Sequence, residues 1–328
     1  ELLRERDDVS VLMHPNPDPD AMACALGVAA IAEHAGATPQ IRYSGEIRHQ
    51  ENRAFRTVLD LNCEPVESHE DLNEHVVLVD HNDPRGFDGA ETVDPLAVVD
   101  HHPGGPPETA TFADVREEYG ACATILAEYF EGLGADPAVT DGTTPNLDCA
   151  LATGLLYGIL ADTNHLTRGC NSAEFAASSY LFEGVDEDLL DRIANPQVDA
   201  EVLDVRARAI HSREVRGPHA VSDVGEISNV DAIPQAADEL LQLEGISSVV
   251  VFGDRNGTIR LSGRSHDDRI HMGETLDRAV HDLPAASAGG HARMGGGQLS
   301  FENTWIPRDG FSRPGFRERI FDALSGER

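Results

Sequence analysis

Short apolar runs alternate with stretches of helical period through the first half of the chain, the pattern of a sheet interleaved with helices. Val9-Ser10-Val11-Leu12-Met13 reads as a buried strand, and residues 21–35 as an amphipathic or buried helix that Gly36 closes. The pattern then predicts a strand over 40–43, a helix over 51–59, a strand over 75–79 and another over 96–99. Helices follow over 121–131, 146–161 and 173–182. The charged, helical stretch 182–216, broken once at Asn195-Pro196, reads as the connection between domains. Beyond it come a strand over 219–227, a helix near 236–243, strands over 248–252 and 258–261, and a glycine-rich stretch over 289–297. The expected organisation is an α/β domain with a parallel sheet over 1–190, a helical linker over 191–216 and a smaller α/β domain over 217–328.

Three of these strands run at their C-terminal ends into acidic or histidine residues: Met13 into His14, Val79 into Asp80, and Val99 into Asp100-His101-His102. Parallel α/β sheets bind ligands at that edge. In His14-Pro15-Asn16-Pro17-Asp18-Pro19-Asp20, the prolines and the asparagine pin an irregular loop, so that one imidazole and two carboxylates can converge. Such a set suits a hard divalent cation such as manganese. The motif taken alone reads equally as an acidic turn, with Asp18 or Asp20 capping the following helix and complementing its dipole. The clusters Val79-Asp80-His81-Asn82 and Val99-Asp100-His101-His102-Pro103 favour the binding reading, because carboxylates beside strand valines pack poorly unless they bind something. Asp162 ends a further apolar helix; taken singly, it reads as an ordinary polar helix terminus.

The charge balance narrows the partners. The chain has 328 residues with 58 acidic and 25 basic ones, a net charge of −33, and every basic residue is arginine. A lysine-free acidic chain fits a cytoplasm of very high salt, where the Debye length falls to about 3 Å near 1 M and self-repulsion is screened. Affinity for duplex nucleic acid comes from basic residues releasing counterions, so a stable duplex partner is excluded. No apolar run approaches a membrane span, and the five cysteines show no CxxC pair, which fits reduced, mostly buried thiols in a cytoplasmic protein. The chain opens at Glu1 without methionine, which leaves open whether residues or a further domain precede it.

Taken in order and at these separations, the four motifs resemble the DHH phosphoesterase superfamily, whose naming triplet stands here as Asp100-His101-His102. Leu261-Ser262-Gly263-Arg264-Ser265, Gly289-Gly290-His291 and Gly295-Gly296-Gly297 resemble the DHH-associated C-terminal domain of the nanoRNase and pAp-phosphatase branch. The resemblance covers nearly the whole chain. It implies one divalent cation held by His14, Asp18 and Asp80, and another by Asp20, Asp80, His101 and Asp162, with Asp80 bridging. It implies that His102 faces the scissile phosphate and that Asp100 fixes a histidine tautomer. Arg264, Ser265 and His291 would grip a terminal phosphate or nucleotide, with Gly289 and Gly290 allowing close backbone approach, in a cleft between the two domains. This chain departs from the family at Pro19, where glycine is usual, at Ala23-Cys24, where glycine-serine is usual, at Gly263, and at Ser287-Ala288.

The function so implied is two-metal hydrolysis, with manganese or magnesium activating a water for in-line attack on short oligonucleotides, pAp or related dinucleotides. Three other readings share the motifs. A pyrophosphatase or exopolyphosphatase is disfavoured because that branch grips phosphate with a lysine. A RecJ-like single-strand exonuclease is disfavoured by the acidic charge and an aromatic content of only 5%. A non-catalytic nucleotide sensor should have lost a ligand, and none is missing. The expected partners are short nucleotides, with a homodimer left open and no membrane.

Overall fold

The computed structural model describes residues 2–139, 142–301 and 312–326. The chain divides into two units, Glu1–Pro196 and Gln197–Arg328. In the first, β1 (Asp8–Met13), α1 (Pro19–Ala35), β2 (Thr38–Tyr43), α2 (Gln50–Val58), β3 (Glu64–Pro65), β4 (Val76–Val79), β5 (Ala97–Asp100) and β6 (Phe112–Val115) are followed by four helices. These are α3 (Cys122–Gly132), α4 (Cys149–Asp162), α5 (Ser172–Phe182) and α6 (Glu187–Ala194). The strands form one parallel sheet in the order β3-β2-β1-β4-β5-β6.

Strand alternation explains the two faces of this sheet. Val9, Val11, Met13, Val77, Val79, Ala97 and Val99 enter one core with α1, α3 and α4, whereas Leu12, Val76, Leu78 and Val98 enter a smaller one on the other side. Strands buried on both faces must be apolar throughout, which is why the motif residues come only at their ends. Chain order reverses between β1 and β4, so the loops leaving those strands diverge and open a crevice at the C-terminal edge.

Helix α1 begins two residues before the stretch the pattern predicts, and its chemistry explains the start. Asp18 is the N-cap, accepting from Ala21 N at 3.1 Å, and Pro19 occupies the first turn, where a missing N–H costs nothing. The glycine usual there is therefore dispensable. Gly36, at φ 93°, terminates the helix in the left-handed region.

The second unit contains α7 (Ala200–Ser212), β7 (Glu214–Arg216), β8 (His219–Glu226), α8 (Ala232–Leu241), β9 (Ser248–Arg255), β10 (Thr258–Ser265), α9 (Met272–Val280), β11 (Ala286–Gly290), β12 (Met294–Ser300) and α10 (Arg313–Ser325). Its sheet, ordered β11-β12-β10-β9-β8-β7, is mixed: β8 and β9 are parallel and every other pair antiparallel. Helices cover both faces, with α9 and α10 over Phe252, Ile259 and Leu261, and α7 and α8 over Ala220, Val249 and Val251. The stretch expected as a linker is divided between the units. Helix α6 stays with the first, while α7 buries Val202, Val205 and Ala209 in the second.

The glycine-rich stretch forms a hairpin, β11 with β12, that pairs Gly289 with Gly296 and Gly290 with Gly295. The bare strands let the start of α9 approach: a Cβ on Gly295 would lie 3.1 Å from Gly273 N. Gly263 has the same cause, since a Cβ there would lie 2.8 Å from Met272 Cγ. Among the described residues no helix is long and apolar enough to cross a membrane.

Candidate metal centre

The C-terminal edge of β1, β4 and β5 delivers His14, Asp80 and His101, and the helices add Asp18 and Asp20 from the start of α1 and Asp162 from the last turn of α4. Among the described residues three overlapping groups of potential ligands result: His14, Asp18 and Asp80; Asp20, His101 and Asp162; and Asp80, His101 and His102. Asp80 joins the first two. Its Oδ2 lies 3.4 Å from His14 Nε2 and its Oδ1 3.3 Å from His101 Nε2, so one carboxylate presents a different oxygen to each group. Asp18 Oδ2 is 3.6 Å from His14 Nε2, and Asp162 Oδ2 3.5 Å from His101 Nε2.

Asp80 is 1% exposed, and both its oxygens, together with His101 Nε2, are buried without a hydrogen-bond partner. A buried carboxylate with no donors is costly unless a cation meets it, so the donor set fits divalent metal. Its backbone adds to the case. Asp80 sits at φ 61°, a conformation costing an L-residue about 1–2 kcal/mol, with its N–H tied to Val99 O at 2.9 Å.

The imidazoles are oriented by carbonyls. His14 Nδ1 donates to Pro15 O at 3.0 Å and His101 Nδ1 to Tyr119 O at 3.1 Å, leaving each Nε2 toward the carboxylates. Burial lowers the pKa of His14, but Asp18 and Asp80 outweigh it and raise the ring to about 11. Burial likewise lowers that of His101, and Asp162, Asp80 and Asp20 raise it to about 12. Burial raises the Asp20 carboxyl well above the ordinary range, with Asp80 and Asp162 adding to the shift, and Asp162 is raised for similar reasons. Burial also opposes ionisation of Asp80, yet His101 and His14 hold it below the usual carboxylate range. In the metal-free protein, protons occupy the place of positive charge.

Asp20 has a second task. Its two oxygens accept from Cys122 N at 2.6 Å and Ala123 N at 2.8 Å, anchoring the first turn of α3 to the start of α1. Of the two residues that could cap the helix after the acidic loop, Asp18 does so with one oxygen, whereas Asp20 anchors a different helix, α3. No local signal near residue 20 marks a helix that begins a hundred residues later. Beside the cluster, Asp100 is fully buried, and its Oδ1 accepts from His101 N at 2.8 Å, His102 N at 3.1 Å and His102 Nδ1 at 2.9 Å. Asp100 raises the pKa of His102, whose side chain is half exposed.

In the second unit, Arg264 Nε donates to Asp238 Oδ1 at 2.6 Å and Nη1 to Ser262 Oγ at 3.0 Å. Ser265 is buried, and its hydroxyl is engaged with Ser248 Oγ, Ser247 O and the backbone of Asp267, leaving it nothing to offer a ligand. Gly289, Gly290 and His291 are exposed at the β11–β12 hairpin. The pairing of Arg264 with Asp238 was invisible in the sequence, since the two lie on different elements.

Comparison with known proteins places these observations. Residues 8–159 match the DHH family, N-terminal domain, and residues 217–304 the DHHA1 domain. The chain is 37% identical over 282 residues to an uncharacterised protein of Methanocaldococcus jannaschii, covering 86% of this chain and 55% of that one. It is 27% identical over 353 residues to the cyclic-di-AMP phosphodiesterase GdpP of Geobacillus thermodenitrificans, covering 99% of this chain and 49% of that one. The chain thus spans about half the length of these relatives. An exopolyphosphatase-related protein from Bacteroides fragilis shares the fold, with a TM-score of 0.69 at 14% identity, over 99% of this chain and 94% of that one.

Proposed function

The chain belongs to the DHH phosphoesterase superfamily, and from that premise we propose that it hydrolyses short nucleotides, dinucleotides above all, as a two-metal phosphodiesterase. The observation that carries the reading is Asp80, one buried carboxylate whose two oxygens face the imidazoles of two separate ligand groups. Bound there, two divalent cations, manganese or magnesium, would supply Lewis acidity and lower the pKa of a water. His14, Asp18 and Asp80 would hold one, and Asp20, Asp80, His101 and Asp162 the other. The mixed nitrogen and oxygen set suits manganese.

His102 carries the remaining chemistry of the first unit. Asp100 accepts a hydrogen bond from its Nδ1, which leaves Nε2 as the free nitrogen of a half-exposed ring and keeps the ring cationic more readily than an ordinary histidine. It would donate to a phosphoryl or departing oxygen as negative charge grows there. In the second unit, Arg264, braced by Asp238, and His291 would take the terminal phosphate or nucleotide, with Gly289 and Gly290 permitting close backbone approach. Ser265 would serve the fold of the strand end that carries Arg264.

Charge and similarity support this substrate class. A net charge of −33 offers no extended basic track for a long strand. The similarity to a cyclic-di-AMP phosphodiesterase extends across 99% of the chain and so includes the second unit. The test compares initial rates at high salt with manganese on a linear dinucleotide, cyclic di-AMP, pAp, a twenty-nucleotide strand and pyrophosphate. The dinucleotides should turn over fastest. Faster hydrolysis of pyrophosphate or of the long strand would refute the substrate class, and full activity in chelator with no metal by elemental analysis would refute the metal.

A further inference from the structure

We propose that Glu174 is a positioning residue for His101, acting through the single peptide group that joins Tyr119 to Gly120. Glu174 lies in the first turn of α5 and is 0% exposed. A carboxylate in that setting persists only with its lone pairs met. Oε2 accepts from Asn171 N at 2.6 Å, the ordinary reciprocal half of a capping box, and helix capping accounts for that oxygen alone. Oε1 accepts from Gly120 N at 2.9 Å, across 54 residues of sequence. The other face of that same peptide group is the Tyr119 carbonyl, which accepts from His101 Nδ1 at 3.1 Å.

A trans peptide is planar, with its N–H and C=O pointing in opposite directions, so fixing one fixes the other. The carboxylate therefore sets where His101 finds its acceptor, and His101 Nε2 is left toward Asp20, Asp80 and Asp162. A negative charge on the N–H side also polarises the carbonyl and strengthens it as an acceptor. The loop is seated tightly around this group. A Cβ on Gly120 would lie 2.6 Å from Gly169 O and 2.8 Å from Thr163 Cγ2, and Asn171 Nδ2 donates to Glu118 O at 2.7 Å. The residues after α4 and the start of α5 thus clamp the segment that orients a candidate ligand at the end of the neighbouring strand β5.

The proposal rests on the metal reading above for what His101 does, and two readouts separate the failures. The first needs no metal: solvent exchange of the His101 Nδ1 proton, followed by NMR in the metal-free protein. The second is manganese affinity by calorimetry. Glu174→Ala should speed the exchange and weaken manganese binding, each by about tenfold or more, in the range typical of lost outer hydrogen bonds to a ligand. Glu174→Gln keeps an oxygen for Gly120 N while spoiling the α5 cap, so it should lower the melting temperature yet hold manganese affinity within about threefold of wild type. Should Glu174→Ala not fold, Glu174→Asp, too short to reach Gly120, carries the same expectation. Unchanged exchange and affinity in Glu174→Ala, or equal losses in Glu174→Gln and Glu174→Ala, would overturn the proposal. A wild-type protein that binds no manganese would instead overturn the metal reading, with the exchange experiment still testing the relay.

Discussion

Replacing Gly158 with alanine sets two known effects against each other at the candidate centre. In the interior of a helix such as α4, glycine to alanine ordinarily stabilises by about 0.5–1 kcal/mol. Here the new Cβ would lie 3.0 Å from Asp20 Oδ1, 3.1 Å from Asp20 Cα and 3.3 Å from Ala123 Cβ. None of these can yield cheaply, because one contact is backbone and the Asp20 carboxylate is pinned by Cys122 N and Ala123 N. Overpacking of that kind costs about 1–3 kcal/mol, so against the helix gain the net change should be a loss of up to about 2.5 kcal/mol. For a unit of this size that is a fall of up to about 10 °C in melting temperature. Relief by moving α4 also moves Asp162, so manganese affinity should drop by about tenfold. Calorimetric melting of the metal-free protein, followed by manganese titration, measures both. A melting temperature that rises with unchanged affinity would show that helix propensity wins and that α1 and α4 are not in the close contact described.

Asp80→Ala should abolish turnover and weaken both metal sites, whereas His102→Ala should keep metal content and lose rate; elemental analysis beside kinetics distinguishes them, and equal metal content in the two variants would refute the bridging role. The pH dependence of the metal-free protein has a defined sign. His14 and His101, raised to about 11 and 12, contribute stability that is complete below about pH 6.5 and is lost as pH climbs toward those values, and the raised carboxyls of Asp20 and Asp162 act in the same direction. The melting temperature should therefore fall from pH 6.5 to 9 without metal and hold steadier with saturating magnesium, and metal binding near neutral pH should release about two protons, read by calorimetry in buffers of different ionisation enthalpy. Arg264→Ala should raise KM for dinucleotides with kcat and metal affinity little changed; loss of metal instead would place Arg264 elsewhere in the machinery.

Much of this protein is legible along the chain because the relevant physics is local. Valine-rich runs read as buried strands, Gly36 closes a helix, and histidines and aspartates at several strand ends together point to a candidate cation site before any coordinate is known. Arginine as the sole base and a charge of −33 are equally plain. Helices α9 and α10 and strands β3, β6 and β7 escaped, being short or weakly patterned, and the Gly289–Gly297 hairpin escaped because glycine opposes strand formation until a helix packs onto it. What only the tertiary structure decided is pairing between distant positions. Sheet order brought Asp80 between His14 and His101, so that each oxygen serves a different imidazole. Packing made Asp20 the anchor of α3, gave Arg264 to Asp238, and set Glu174 behind the peptide group that holds His101. Residue types declare which chemistry is available, but a ligand's second oxygen or an imidazole's second nitrogen finds its partner through space, and sequence spacing carries no record of that.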